Sequence, residues 1–262
     1  MRVLFTVVHN ATHFLRPWVD YHVDHFDEIF VLTHECVGDS CDVLDGIEEA
    51  YPYLPILKVT HRYRYDADWL MRVVRRFQAF LLASYDTAWF LAADEFLATR
   101  DQPLGDWLDE FERAGRIFGR ATGYEIVHRL DLDEPAIDWT APGPLLRRRR
   151  YWYECKKYSK PVGGATPIFW EPGFATATNV SDPPDPGLQL IHLHRIDYEH
   201  CLQRHREAVS SEWRPLDKQA GPYRHNRIDE PTLLERWLLC NADNTREFAD
   251  FSEIPDNIRS LF

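Results

Sequence analysis

Short apolar strands alternate with amphipathic helices through residues 1–100, and this alternation constrains the fold more than any other feature of the sequence. An order of strand, helix, strand, repeated along the chain, implies a mainly parallel sheet with helices on both faces. We therefore predict an α/β, Rossmann-like fold. Strands are expected at 2–8, 28–33, 56–60 and 87–97, and helices at 13–26, 41–50 and 66–85.

The second half of the chain is less regular. An amphipathic helix is expected at 103–114, one or two strands at 116–128, a further strand at 188–194, and helices at 197–211 and 230–241. Residues 131–187 are rich in Pro, Gly, Trp and Tyr, which suits long loops over a binding face. Because no repeat or flexible linker interrupts the sequence, we expect one domain over 1–262 with an elaborated C-terminal half.

Composition excludes several classes of protein. The formal net charge of −12 disfavours general nucleic-acid binding, which needs positive charge to displace counterions from phosphates. The one strongly basic stretch, Arg147-Arg148-Arg149-Arg150, is followed by tyrosine, tryptophan and lysine residues and could face a diphosphate or an anionic acceptor. The five cysteines contain no C-x-x-C pair, which argues against a disulfide framework and a zinc ribbon.

No stretch approaches the roughly 20 apolar residues needed to span a bilayer. The apolar run after Met1 is short and is interrupted by His9, Asn10 and His13, so we interpret it as a buried strand rather than a signal peptide. A cytoplasmic location is the resulting expectation.

Polar residues follow two of the predicted strands. His9 and Asn10 come after the first strand, and Asp94 and Glu95 stand in the apolar fourth strand near its end. Since ligands of open α/β sheets bind beyond the carboxyl ends of the parallel strands, both pairs are expected at one mouth. Carboxylate oxygens bind hard divalent cations such as Mn²⁺ or Mg²⁺, which commonly bridge diphosphates. The alternative is that Asp94 caps a turn and Glu95 is solvated.

His192 and His194 are two residues apart on a predicted strand, so their side chains share one face of it. Either ring could complete a metal site with Asp94, and His194 is favoured because it is nearer the carboxyl end of the strand. The alternative is a pair of histidines that form hydrogen bonds within the sheet.

The order of several short motifs resembles that of GT-A glycosyltransferases related to families 2 and 92. The central one, Trp89-Phe90-Leu91-Ala92-Ala93-Asp94-Glu95-Phe96-Leu97, resembles their Asp-x-Asp-Glu-Phe metal-binding motif. The others are, in order, residues 7–10, 18–22, 160–162, 170–174 and 192–195. The sequence departs from the family pattern at three positions, where Ala92, Ala11 and Ala175 replace an Asp, an acidic residue and a His.

This resemblance implies a GT-A fold, a nucleotide-sugar donor such as a UDP-sugar, and a divalent metal, Mn²⁺ or Mg²⁺, on the diphosphate. Residues 1–100 would then be the nucleotide-binding half, and residues 101–262 would bind a glycan or small-molecule acceptor. The donor-binding residues expected are Val8, His9, Asn10, Asp94, Glu95 and Lys160, and the metal ligands are Asp94, His194 and His192.

An inverting transfer, as the resemblance implies, needs a carboxylate that takes a proton from the acceptor hydroxyl. Glu125 and Glu171 are the candidates, and Trp152 and Trp170 are candidates for stacking on a sugar ring. Each could instead have a structural role.

Two other functions stay open: a degenerate member of the same fold that binds without catalysis, and a metal-dependent hydrolase that uses Asp94, His192 and His194. The sequence contains no P-loop, no G-x-G-x-x-G fingerprint and no G-x-S-x-G elbow.

Overall fold

The computed structural model describes residues 1–10, 12–34, 36, 39–132, 134–139, 144–220, 229–238 and 250–261. The strands are β1 (Arg2–Val8), β2 (Glu28–His34), β3 (Ile56–Val59), β4 (Thr87–Phe90), β5 (Glu95–Thr99), β6 (Phe118–Val127), β7 (Tyr151–Glu154), β8 (Pro161–Gly164), β9 (Asp185–Arg195) and β10 (Ser252–Glu253). The helices are α1 (Thr12–His22), α2 (Asp39–Ala50), α3 (Ala67–Leu81), α4 (Leu104–Arg113), α5 (Tyr198–Ser210), α6 (Pro215–Ala220), α7 (Glu230–Leu238) and α8 (Asp256–Arg259).

The N-terminal half forms a parallel sheet. Its strands lie in the order β4, β1, β2, β3, and each neighbouring pair runs parallel. The sheet continues on the other side of β4 through β8, β6, β7 and β10, where the pairs that link them are antiparallel. The prediction of an α/β fold with a parallel sheet is confirmed, and the C-terminal half makes the complete sheet mixed.

Helices cover both faces of the parallel sheet. On β1, Leu4 and Val8 face a core cluster that includes side chains of α1, α2 and α4. Val3 and Phe5, on the opposite face of β1, pack in a second cluster with side chains of α3. Because successive strand residues point to opposite faces, a strand covered on both sides must be apolar throughout, as residues 3–5 are.

The strand expected at 87–97 is two strands, which corrects the prediction. β4 ends at Phe90, and a turn follows in which the Glu95 amide donates to the Ala92 carbonyl over 3.0 Å. The Glu95 carboxylate accepts from the Ala92 amide over 2.9 Å and holds the turn closed. β5 then pairs antiparallel with β9, so the second part of the apolar run leaves the parallel sheet.

The other expected elements are present in type, and their ends differ by a few residues. Residues 131–187 are not loops throughout, because β7 and β8 form there by pairing with β6. The short elements α6, β10 and α8 were not expected. The long helix α3 begins after Asp66, whose side chain caps it by accepting from the Trp69 amide. β9 also runs parallel to β6, and this pairing sets Glu125 beside His192. The predicted positions 239–241 of the last long helix, and Ala11, lie outside the described residues. No helix in the described ranges is long and apolar enough to cross a membrane.

Candidate functional site

A cavity of about 300 Å³ opens at the carboxyl ends of the parallel strands. Val8, His9 and Asn10 line it at the end of β1, and His34, the last residue of β2, lines it beside them. The connection from β3 to α3 and the turn after β4 complete this side of the cavity. The structure therefore places a cavity where the strand order predicts a ligand site.

The C-terminal half covers the other side of the cavity. Residues from the end of β9, from the segment after β7 and from one face of α5 line it: Lys157, Tyr158, His194, Arg195, His200, Cys201, Arg204, His205, Glu207 and Ala208. Arg64, Lys157, Arg195 and Arg204 are cations, whereas the lining carboxylates are Asp66, Asp94 and Glu207. The lining therefore carries four cations against three carboxylates, although the protein as a whole is acidic.

Asp94 lies in the turn after β4 and is buried at the cavity wall. Its Oδ2 accepts a hydrogen bond from Arg204 Nη1 over 3.0 Å. Burial alone would raise the pKa of the Asp94 carboxyl, but the Arg204 guanidinium, His192 and His194 hold that pKa well below its usual range. Asp94 is therefore an anion whose charge a neighbouring arginine already balances.

His192 is held from one side by Glu125. Its Nδ1–H donates to Glu125 Oε2 over 2.8 Å, and the same carboxylate accepts from the Arg195 amide over 3.1 Å. Burial opposes protonation of His192, yet Glu125, Asp94 and Glu95 raise its pKa above the usual value. Glu125 is fully buried and does not line the cavity. In this arrangement it orients His192, and its role as catalytic base stays a prediction.

The three predicted metal ligands lie close together, but their arrangement does not fit a divalent cation. His192 Nε2 is 4.0 Å from Asp94 Oδ2, and the rings of His192 and His194 are parallel with centroids 5.8 Å apart. His194 Nε2 lies 3.7 Å from Cys201 Sγ. Within the described ranges, no three His, Cys, Asp or Glu side chains form a group that could hold a metal ion. The metal assignment of these residues stays a prediction.

Glu95 and Lys160 form a pair with each other beneath the site. Lys160 Nζ lies 2.5 Å from Glu95 Oε1, and both side chains are buried. Neither residue lines the cavity. The two groups balance each other's charge, and the other oxygen of Glu95 accepts from the Ala92 amide in the turn after β4.

His9 and Asn10 both line the cavity, as the sequence predicts. His9 Nδ1 forms a 2.6 Å hydrogen bond with the His34 carbonyl, which requires that this nitrogen carries the proton. Burial lowers the pKa of His9 to about 4, so the ring is neutral and Nε2 is an acceptor. Nε2 is buried and has no partner among the described residues. Asn10 has a φ of 49°, a left-handed conformation that asparagine adopts more readily than most residues.

Several residues that were predicted to contact a substrate do not line the cavity. Glu171 is exposed in a turn and accepts from the Thr176 hydroxyl, away from the cavity lining. Trp170 and Trp152 are buried in the core and are not available to stack on a sugar. Arg149, from the basic stretch, is buried and paired with Asp197 at 3.1 Å, which excludes it as a diphosphate partner.

Sequence reasoning missed Arg64, Trp69 and Arg204 as lining residues. A signal for Arg204 was present. Cys201, Arg204 and Ala208 recur at helical spacing on one face of α5, and a cation on an otherwise buried face is a candidate for function. Trp69 stacks on His61 with ring centroids 4.6 Å apart, whereas its spacing in the sequence indicates only the apolar stripe of α3.

The chain matches no protein-family model and no curated protein. Among solved structures it is similar to a mannosyltransferase from Pyrobaculum calidifontis in complex with GDP-Man and Mn²⁺, with 12% identity, a TM-score of 0.39, and coverage of 79% of this chain and 61% of that one. It is also similar to a putative glucose-1-phosphate thymidylyltransferase from Bacillus anthracis in complex with a sucrose, with 10% identity, a TM-score of 0.34, and coverage of 97% and 89%. At these values the likenesses assign neither a family nor an activity to this chain.

Proposed function

We propose that this protein is a glycosyltransferase that binds a nucleoside-diphosphate sugar in the cavity and transfers the sugar to a glycan or small-molecule acceptor. One observation carries the proposal: a cavity lined by cations and aromatic rings opens at the carboxyl ends of the parallel strands, with Asp94 in its wall. The ordered motifs that resemble GT-A glycosyltransferases support the same function.

The composition of the cavity suits the parts of such a donor. Guanidinium and ammonium groups form strong, charge-assisted hydrogen bonds to phosphate oxygens. The flat side chains of Tyr65, Trp69 and Tyr158 line the same space and offer surfaces for a nucleobase or a sugar ring. His9 Nε2 offers an acceptor to a hydroxyl or N–H group of the ligand.

Two adjacent lysines provide a direct test of donor binding. Lys156 and Lys157 are both exposed, but only Lys157 lines the cavity. Thermal unfolding is measured with UDP, GDP, ADP, CDP and dTDP and with the matching sugar donors. A ligand at 100 times its Kd stabilises the native state by about 2.7 kcal/mol.

We expect one nucleoside diphosphate to stabilise the wild type, and Lys157→Ala to weaken its binding by about three- to tenfold because a phosphate partner is lost. Lys156→Ala is the matched control and should bind like the wild type. The donor-site proposal is wrong if no nucleotide raises the unfolding temperature.

A second candidate function is binding of the donor without transfer. The observation that favours it is that neither predicted base, Glu125 or Glu171, lines the cavity. Of the lining carboxylates, Asp94 is paired with Arg204, Asp66 caps α3, and Glu207 Oε2 lies 3.6 Å from Arg64 Nη2. Release of the nucleoside diphosphate from the stabilising donor, with a panel of glycan acceptors and with water alone, separates the two. Turnover supports transfer, whereas binding without turnover supports the second candidate.

A further inference from the structure

Arg204 already pairs with Oδ2 of Asp94, the one carboxylate among the predicted metal ligands. Asp94 Oδ2 is 3.0 Å from Arg204 Nη1, and the Arg204 side chain is 37% exposed. A divalent ion on Asp94 Oδ2 would have to displace this guanidinium, and the displaced arginine would lose the carboxylate that balances its charge.

The side chains around Asp94 offer few further ligands for a metal ion. Ala92, two residues before Asp94, lines the cavity and has no oxygen in its side chain. His192, which donates its Nδ1–H to Glu125, does not line the cavity, and His194 Nε2 faces the Cys201 thiol. Hard divalent cations prefer several oxygen ligands, and Asp94 is the one carboxylate that the predicted ligand set supplies.

Arg204 can instead bind phosphate oxygens itself. A guanidinium has five N–H donors, and a single hydrogen bond joins it to Asp94. The group also lies 5.9 Å from the centre of the Phe14 ring, which fixes its position from another side. Arg64, which pairs with Glu207 at 3.6 Å, Arg195 and Lys157 line the same cavity and add positive charge around it.

We infer that Arg204, oriented by Asp94, takes the place of a divalent cation, so that the site binds a nucleoside diphosphate without metal. This inference rests on the proposed function and specifies how the donor is held. Arg64 adds a second cation: Nη1 donates to the Ser211 hydroxyl over 2.8 Å and Nη2 lies 3.6 Å from Glu207 Oε2, while its buried Nε has no partner in the part of the chain that the structure describes.

The test is calorimetric titration of metal-free protein with UDP, GDP, ADP, CDP and dTDP, in EDTA and in Mn²⁺. We expect the nucleotide that binds to do so in EDTA with a Kd within about threefold of its value in Mn²⁺. Arg204→Met should weaken binding in EDTA by at least about tenfold, and Mn²⁺ should not restore it. Arg206→Met, on the exposed side of α5 and paired with Glu230, is the matched control and should bind like the wild type.

The outcomes separate this inference from the proposed function. Binding that requires Mn²⁺ and is lost in EDTA overturns the inference and leaves the donor site standing. Unchanged binding by Arg204→Met in EDTA also overturns it. Absence of nucleotide binding under both conditions overturns the proposed function as well.

Circular dichroism checks that each variant folds. Arg204→Lys keeps the charge but lacks the planar fork of the guanidinium, and it replaces the Met variant if that one does not fold.

Discussion

Burial keeps several histidines neutral, and His22 is one of them. His22 is fully buried in α1, and its Nδ1 forms a 2.8 Å hydrogen bond with the Trp18 carbonyl. The Leu97 amide of β5 donates to His22 Nε2 over 3.4 Å. This pair of contacts requires an imidazole with one proton, on Nδ1. Burial accordingly lowers the pKa of His22 to about 3.

His22 should make the protein sensitive to mild acid. Its folded-state pKa lies below the unfolded value of about 6.5, so the unfolded chain binds the proton more readily. The stability is fully present above pH 6.5 and is lost as pH falls toward the folded pKa. We expect the free energy of unfolding to fall by roughly 1 kcal/mol per pH unit between about pH 6 and 4 from this residue alone.

Urea unfolding of the wild type and His22→Gln over this pH range checks the prediction. The glutamine can keep a donor and an acceptor but does not titrate, so the pH slope should become smaller. His9 and His200, with pKa values lowered to about 4 and about 3, should leave part of the slope in place. An identical slope in both proteins, or His22 resonances in NMR that titrate near pH 6.5, would contradict it.

At the scale of elements, the indole of Trp89 lies over two neighbouring strands. Trp89 of β4 pairs with Gly163 of β8, which in turn pairs with Gly119 of β6. A Cβ at Gly163 would lie 2.4 Å from Trp89 Cδ2, and a Cβ at Gly119 would lie 2.6 Å from the edge of the same ring. These glycines let the buried indole pack flat on the sheet.

Gly163→Ala should therefore destabilise the fold. Trp89 is fully buried and cannot move aside without disturbing the core, and such overpacking typically costs about 1–3 kcal/mol. Equilibrium urea unfolding measures the loss. Gly46→Ala in α2 is the matched control, because a Cβ added there would meet no described atom within 4 Å and alanine favours a helix by roughly 0.5–1 kcal/mol. Equal stability of the two variants would show that the indole tolerates the methyl group.

At the scale of the whole molecule, the cavity exists because distant parts of the sequence meet. Asp94 follows β4, whereas Arg204 lies on α5 after β9. A second set of contacts fixes this part of the chain to α3: Arg214 pairs with Asp66, and the Asp217 carboxylate accepts from the Ala67 amide over 3.0 Å. The C-terminal half thus closes the site that the parallel sheet opens.

A bound nucleotide should protect both halves together. In hydrogen–deuterium exchange, peptides that cover residues 7–10 and α5 should exchange more slowly with the nucleoside diphosphate that stabilises the protein, since both line the cavity. Peptides from α4, which does not line it, should exchange at an unchanged rate. Protection of only one half would mean that the ligand binds outside the cavity that the two halves enclose.

The order and type of most elements in the N-terminal half follow from the sequence alone. Runs such as Val3-Leu4-Phe5 can be buried on both faces only in a covered sheet, and the stripe of α3 requires a helix. The strand order then predicts that His9, Asn10 and Asp94 meet at one edge, and all three line the cavity. These are local periodicities combined with a general rule of topology, so they need no knowledge of distant contacts.

Only the tertiary structure decided the partners of the charged residues. The sequence presents Asp94, Glu95, Lys160 and Arg204 as four charges without saying which of them pair. In the fold, Lys160 pairs with Glu95 and Arg204 with Asp94. The Lys160–Glu95 pair lies outside the cavity lining. The Arg204–Asp94 pair places a guanidinium in the cavity beside the carboxylate that was expected to bind a metal. The physical reason is that an ion pair depends on distances of a few ångströms between side chains far apart in the sequence, which periodicity and composition do not specify.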